Sequence, residues 1–418
     1  MGSTQLAEPT AGADFEGRPQ NGNGTAATAP KKVTINTAAL VSAMVNCDPR
    51  VSDLIFSPGR APQVELDGQL VPIKVAGLPF LTAQHTEGIA NDLMAGNRKA
   101  PLALKEEGSC DLSYSLAAKC RFRVNIFQQR GSYAIVMRVI PHTIPGFEEL
   151  SLPEQLKDIC RLKNGIVLVT GPTGSGKSST LAAIIDHINT DRADHIVTIE
   201  DPIEFLHQHK KGTVHQRELH SDTPSFALAL RAALRQAPKV ILVGEMRDKE
   251  TIEVALTAAE TGHLVLSTLH TIDAAKTVER VIGVFPLSDQ QTIRKRLAAS
   301  FRYFISQRLI PLRGGKGRVA AVEILKSTMR TRDYVEKGEA EGKSLLDAMR
   351  DGDTEGMQHF DGEIDKLIRA GVVDFETGLA FSSNAGNLRL ELADFSESRG
   401  SRASLTAPAE SVAMEIER

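Results

Sequence analysis

The chain has 418 residues, 41% of them hydrophobic and 24% charged, with a formal net charge of −3. That length can bury two or three cores, and the composition is ordinary for a globular protein. The slight acidity argues against non-specific binding to nucleic acid. No apolar run is long enough to span a bilayer, and no secretory leader opens the chain, so a cytoplasmic protein is expected.

In chain order, residues 1–31 are rich in Gly, Ala, Thr, Pro and Asn, and are expected to be disordered. Short alternating segments in 32–144 predict a small α+β domain. Within it, 63–71 reads as a hairpin around Asp67-Gly68, and 112–116, 121–127 and 134–140 read as strands. The Pro- and Gly-rich stretch 141–153 reads as a linker. From there to residue 325, strands at 166–170, 196–199, 240–243 and 263–268 alternate with helical stretches, the pattern of an α/β domain with a mainly parallel sheet. Residues 326–395 return to helix, with a cap signal at Gly371, and 396–418 read as a loose tail. Cys47, Cys110, Cys120 and Cys160 are scattered without a CxxC pair, which fits reduced thiols and argues against zinc.

The most informative segment is Gly171-Pro172-Thr173-Gly174-Ser175-Gly176-Lys177-Ser178, followed by Ser179. It lies between an apolar strand and a helix, the context a phosphate-binding loop requires. Its glycines let backbone N–H groups converge on a phosphate at a helix N-terminus. Lys177 is placed to reach the β- and γ-phosphates of ATP, and Ser178 to ligate Mg²⁺.

Three clusters follow. Glu200, Asp201 and Glu204 stand just past a strand end, where hydrolysis needs a group to activate water and groups to hold Mg²⁺. The apolar strand 240–243 leads to Glu245, a Walker-B pattern that acts on Mg²⁺. His263 and His270 bracket a further strand, and a histidine at a strand end can bond a γ-phosphate.

In combination these clusters resemble the ATPases of the type II secretion and type IV pilus class, over about residues 33 to 395. The resemblance implies a hexameric ring built from a PAS-like N-terminal domain and a RecA-like domain with a helical C-terminal extension. It implies Glu204 as general base, Glu245 as Walker-B acid, His263 as γ-phosphate sensor and His270 in support. Among the arginines 121, 123, 130 and 138, Arg123 and Arg138 match best the family positions that close over the triphosphate. No cysteine module follows Ser306-Gln307-Arg308-Leu309, and the N-terminal region is short, which is similar to the PilT-like retraction branch that drives twitching motility. Gly356-Met357-Gln358-His359-Phe360-Asp361 and Ser52-Asp53-Leu54 fit that branch. Lys239, Gly283, Arg330 and Thr331 depart from its pattern, leaving an accessory subunit beside a paralogous pilus ATPase as the alternative. A platform protein at the inner membrane is the implied partner.

Overall fold

The computed structural model describes residues 35–97, 99–116, 120–140 and 143–393. The segments 1–31 and 396–418, expected to be disordered and loose, lie outside these residues. Helix α1 (Thr37–Val45), capped by the Asn36 side chain, leads into β1 (Val51–Phe56), β2 (Gln63–Leu66) and β3 (Gln69–Pro72). The expected hairpin is present. Asp67 and Gly68 take φ of 51° and 82°, the turn whose twist matches that of its flanking strands. Helices α2 (Ala83–Met94) and α3 (Ala100–Glu107) precede β4 (Ser109–Leu116), β5 (Cys120–Gln129) and β6 (Ser132–Ile140). The six strands form one antiparallel sheet in the order β3-β2-β1-β6-β5-β4. On β5, Phe122, Val124 and Ile126 are buried in a core shared with the helices, and the period of two turns Arg121 and Arg123 to the other face.

The second sheet draws on β7 (Gly165–Thr170), α4 (Lys177–Asp191), β8 (His195–Glu200), β9 (Thr213–Glu218), α5 (Phe226–Ala233), β10 (Val240–Val243), α6 (Lys249–Glu260), β11 (Leu264–Leu269), α7 (Ala274–Gly283), α8 (Leu287–Ser300), β12 (Phe301–Pro311) and β13 (Arg318–Lys326). Its order is β13-β12-β7-β11-β10-β8-β9, and every neighbouring pair is parallel except the edge hairpin β12–β13. Strands β7, β10 and β11 are buried at every position, because apolar cores cover both faces of the sheet.

Three strands of this sheet escape the sequence reading, as β1 does in the first. β9 is a polar edge strand. β12 follows α8 with no turn residue between them, and its central Ser306 and Gln307 are polar yet buried. β13 is tied to β12 alone within the sheet. The linker reading of 141–153 also needs correction: Phe147 and Leu152 are buried against the core beneath α4. Lys239 lies at the amino end of β10, where its N–H donates to His195 O (2.8 Å), on the edge away from the phosphate loop.

A buried polar chain crosses the sheet. Thr170 Oγ1 donates to Ser306 Oγ (3.1 Å), Ser306 Oγ donates to Glu323 Oε1 (3.3 Å), and the same oxygen accepts the Ala274 N–H at the start of α7 (2.8 Å).

Helices α9 (Met329–Lys337), α10 (Leu345–Asp351), α11 (Phe360–Arg369), α12 (Phe375–Phe381) and α13 (Ala385–Glu391) complete the chain. Gln358 pairs with Ile324 on β13, and the Arg308 guanidinium lies 3.8 Å from the centre of the Phe360 ring, so these helices pack onto the sheet edge. The two unusual residues of α9 have structural partners. Thr331 is buried, completes a capping box with Thr328 and donates to Lys326 O (2.7 Å). Arg330 pairs with Asp351 (2.7 Å) and donates to Tyr334 Oη (2.9 Å).

Gly165 opens β7 with φ of 107°, and a Cβ there would stand 2.7 Å from Ser300 O. Gly165→Ala should therefore destabilise the fold by about 2–4 kcal/mol, from left-handed strain and overpacking together, read as a lowered urea midpoint.

Candidate active site

Because β7, β8, β10 and β11 run parallel, their carboxyl ends meet at one edge of the sheet, where open α/β folds bind ligands. A cavity of about 560 Å³ opens there. The loop between β7 and α4 forms its floor, with Thr173, Gly174, Gly176, Lys177, Ser178 and Ser179 lining it. Gly176 takes φ of 92° immediately before α4, which turns the helix N-terminus toward the cavity. A Cβ on Gly171 would lie 2.4 Å from Gln307 O and 2.5 Å from Ser175 Oγ, so no side chain fits at 171. Pro172 and Ser175 face a neighbouring cavity of about 650 Å³, shared with Arg308, Arg318 and the end of α12.

Lys177 is 8% exposed and donates to the carbonyls of Gly171 and Pro172, both at 2.9 Å. Burial draws its pKa below the usual lysine value, and the Glu204 and Glu245 carboxylates oppose that shift. The four predicted carboxylates converge here: Glu200 at the end of β8, Asp201 and Glu204 from the loop after it, and Glu245 from the loop after β10. Glu245 stands 3.9 Å from His270 Nε2 and 3.6 Å from Arg247 Nη1. Thr268 Oγ1 donates to Gly244 O (2.6 Å), fixing the turn that presents Glu245.

Other expected residues are placed elsewhere. His263 precedes β11 at the opposite edge, its Nδ1 2.9 Å from Ala258 O. The six residues of β11 at ~3.3 Å each separate it by roughly 20 Å from that strand's carboxyl end. It therefore cannot sense a γ-phosphate in this cavity, and of the two bracketing histidines His270 alone lines it. Arg123 and Arg138 do not line the cavity either. They face each other across β5 and β6, and Arg138 Nε donates to Asp53 Oδ1 (2.9 Å). The arginine that does reach the second sheet is Arg121, whose Nη2 donates to Glu218 Oε2 (3.0 Å).

Sequence reasoning missed Leu309 and Arg318 from the edge hairpin, Phe226 at the start of α5, and His207, all of which line the cavity. The hairpin residues were invisible once β12 and β13 were unrecognised. The only signal was the glycine cluster Gly314, Gly315 and Gly317 before Arg318, each with positive φ. His207 is held neutral by burial, which drives its pKa down to about 4.

Among the described residues, no three His, Cys, Asp or Glu side chains are placed together to hold a metal ion. Magnesium in nucleotide sites asks for less: one or two protein ligands, with phosphate oxygens and water completing the shell. The Ser178 hydroxyl and Glu245 both line the cavity and fit that need.

Glu200 Oε1 accepts from Thr198 Oγ1 (2.6 Å) and Gln216 Nε2 (3.0 Å), and burial pushes its pKa up to about 7. A raised carboxyl pKa favours the protonated fold, so its stabilisation is complete below the unfolded value and is lost as pH rises through about 7. Glu200→Gln, which keeps the acceptor without the charge, should match the parent in urea at about pH 4 and exceed it at about pH 8.

Comparison with known proteins agrees with this geometry. The family model described as type II/IV secretion system protein matches residues 95–360. The Pseudomonas aeruginosa type IV pilus retraction ATPase PilT is 44% identical over 325 residues, covering 78% of this chain and 92% of that protein. PilU, a type IV pilus ATPase of the same organism, is 38% identical over 348 residues, covering 83% and 89%. A crystal structure of the pilus retraction motor PilT with bound ADP superposes with a TM-score of 0.73 at 41% identity, over 83% of this chain and 97% of that one. The chain belongs to the type II/IV secretion system protein family, as a PilT-like type IV pilus ATPase.

Proposed function

We propose that this protein is a hexameric ATP-hydrolysing motor that powers retraction of type IV pili and so twitching motility. One observation carries the reading: the phosphate loop, the acidic loop after β8 and Glu245 converge on a single cavity. The likeness to PilT over most of both chains supports the direction of the motor. Domains at 32–144 (PAS-like), 145–325 (RecA-like) and 326–395 (helical) fit the two sheets and the C-terminal helices. Among the described residues no helix is long and apolar enough to cross a membrane, which suits a ring at the cytoplasmic base of the machine against a platform protein.

In this reading the loop N–H groups and Lys177 bind the triphosphate of ATP. Magnesium, held by Ser178 and Glu245 with Asp201 and Glu200 nearby, supplies charge neutralisation at the phosphates. Glu204 takes a proton from water as the water oxygen bonds to the γ-phosphorus. The bond to the β,γ-bridging oxygen breaks, its electron pair leaves with ADP, and inorganic phosphate is released. His270 lies beside Glu245 at the same strand edge, in reach of a leaving phosphate. Glu204→Ala should still bind ATP but turn it over at least ~100-fold more slowly, the scale of a lost general base; steady-state phosphate release with parallel nucleotide titration checks it.

A second reading, an accessory subunit beside a paralogous motor, rests on the likeness to PilU, a second type IV pilus ATPase in the organism that carries PilT. A deletion strain separates the two. Piliated cells that cannot twitch are expected; cells that still twitch would favour the accessory reading, and bald cells would point to pilus extension.

A further inference from the structure

The contact between the two sheets falls on a residue that leads directly to the candidate base. Glu218 ends β9, and its side chain is 4% exposed. Its Oε2 accepts two donors from different parts of the chain: Arg121 Nη2 on β5 (3.0 Å) and the Ile203 N–H (3.1 Å). Oε1 accepts Ser221 Oγ (3.4 Å). Ile203 is buried and lies between Pro202 and Glu204 in the acidic loop. Among the described residues, Arg121 is the one cation paired with this buried carboxylate.

We propose that Arg121 is a positioning residue: through Glu218 it sets the acidic loop that carries Glu204, so hydrolysis depends on how the first sheet sits against the second. This rests on the reading of Glu204 as general base. The physical argument is that a carboxylate buried with one cation cannot lose that cation without rearranging. If β5 swings away, Glu218 must find water or other donors. The oxygen that would have to move is the one holding the Ile203 N–H. Glu204, next in the chain, then leaves the geometry in which it faces the cavity. A misplacement of about 1 Å at a reacting group can cost on the order of 100-fold in rate. Arg121 differs in this from Arg138, which donates to Asp53, and from Arg123, whose register partner on β6 is Arg138.

The test uses the full chain. Arg121→Ala should lower kcat for ATP hydrolysis on the order of 100-fold while leaving KM and the affinity for a fluorescent ADP analogue unchanged. Arg121→Lys, which keeps the charge, should recover most of the loss. In a Glu204→Gln background Arg121→Ala should add nothing, because the group it positions is gone. An unchanged kcat in Arg121→Ala overturns the proposal. So does a raised KM at constant kcat, which would make Arg121 a nucleotide contact. So does an additive loss in the Glu204→Gln background, which would route the effect elsewhere. If Arg121→Ala does not fold, Glu218→Gln takes its place, since it keeps an oxygen for Ile203 but not the charge for Arg121; full turnover in that variant overturns the link. Glu204→Gln measured alone tests the base assignment, so failure of that assignment and failure of the link give different patterns.

Discussion

Parallel strands release their chains in one direction, and the placement of every group in the cavity depends on that constraint. Strands β7, β8, β10 and β11 each deliver a loop to the same edge: the phosphate loop, the acidic loop, Glu245 and His270. None of these segments needs to be close to another in sequence. What brings them together is the hydrogen-bonded register of apolar strands buried on both faces, which fixes the lateral order of the loops. The same constraint decides where a residue cannot act. His263 and Lys239 stand at the amino ends of β11 and β10, one strand length away from the chemistry.

Sequence made the site legible to the extent that it follows from local pattern. The glycine spacing of the loop, the carboxylates after β8 and the acid after β10 each belong to one strand and its exit. Their convergence followed from reading the strands as parallel. What stayed hidden was placement that depends on an unpredicted partner. β12 carries Arg302, Ser306, Gln307 and Arg308 among its apolar residues, and Ser306 at its centre is buried with its hydroxyl bonded to Thr170 and Glu323, partners far away in sequence. With β12 and β13 unseen, Leu309 and Arg318 could not be assigned to the cavity. The arginines of the first sheet failed for a related reason. Period two places Arg121 and Arg123 on one face, but not which of them meets Glu218, 97 positions along the chain from Arg121.

The C-terminal helices join the cavity by an indirect route. Arg308 on β12 donates to Phe381 O (2.6 Å) and Ser383 Oγ (3.1 Å), while Asp361 accepts the backbone N–H groups of Ser383 and Asn384. These contacts hold the end of α12 beside the back of the phosphate loop, where Pro172 and Ser175 line the second cavity. The loop thus has protein on two sides. One side faces carboxylates and a space for substrate; the other faces a segment outside the sheet.

The polar chain from Thr170 through Ser306 to Glu323 and the Ala274 N–H lies directly beneath the loop. Each member is buried, so each relies on its neighbours for hydrogen bonds that water cannot supply. An apolar residue at 306 would leave Thr170 without its acceptor and Glu323 with the Ala274 N–H alone, and an apolar residue at 323 would in turn leave that N–H unpaired. In evolutionary terms these positions form a single character. Related sequences should carry the hydroxyl, hydroxyl and carboxyl as a set or exchange them as a set, with intermediate combinations rare.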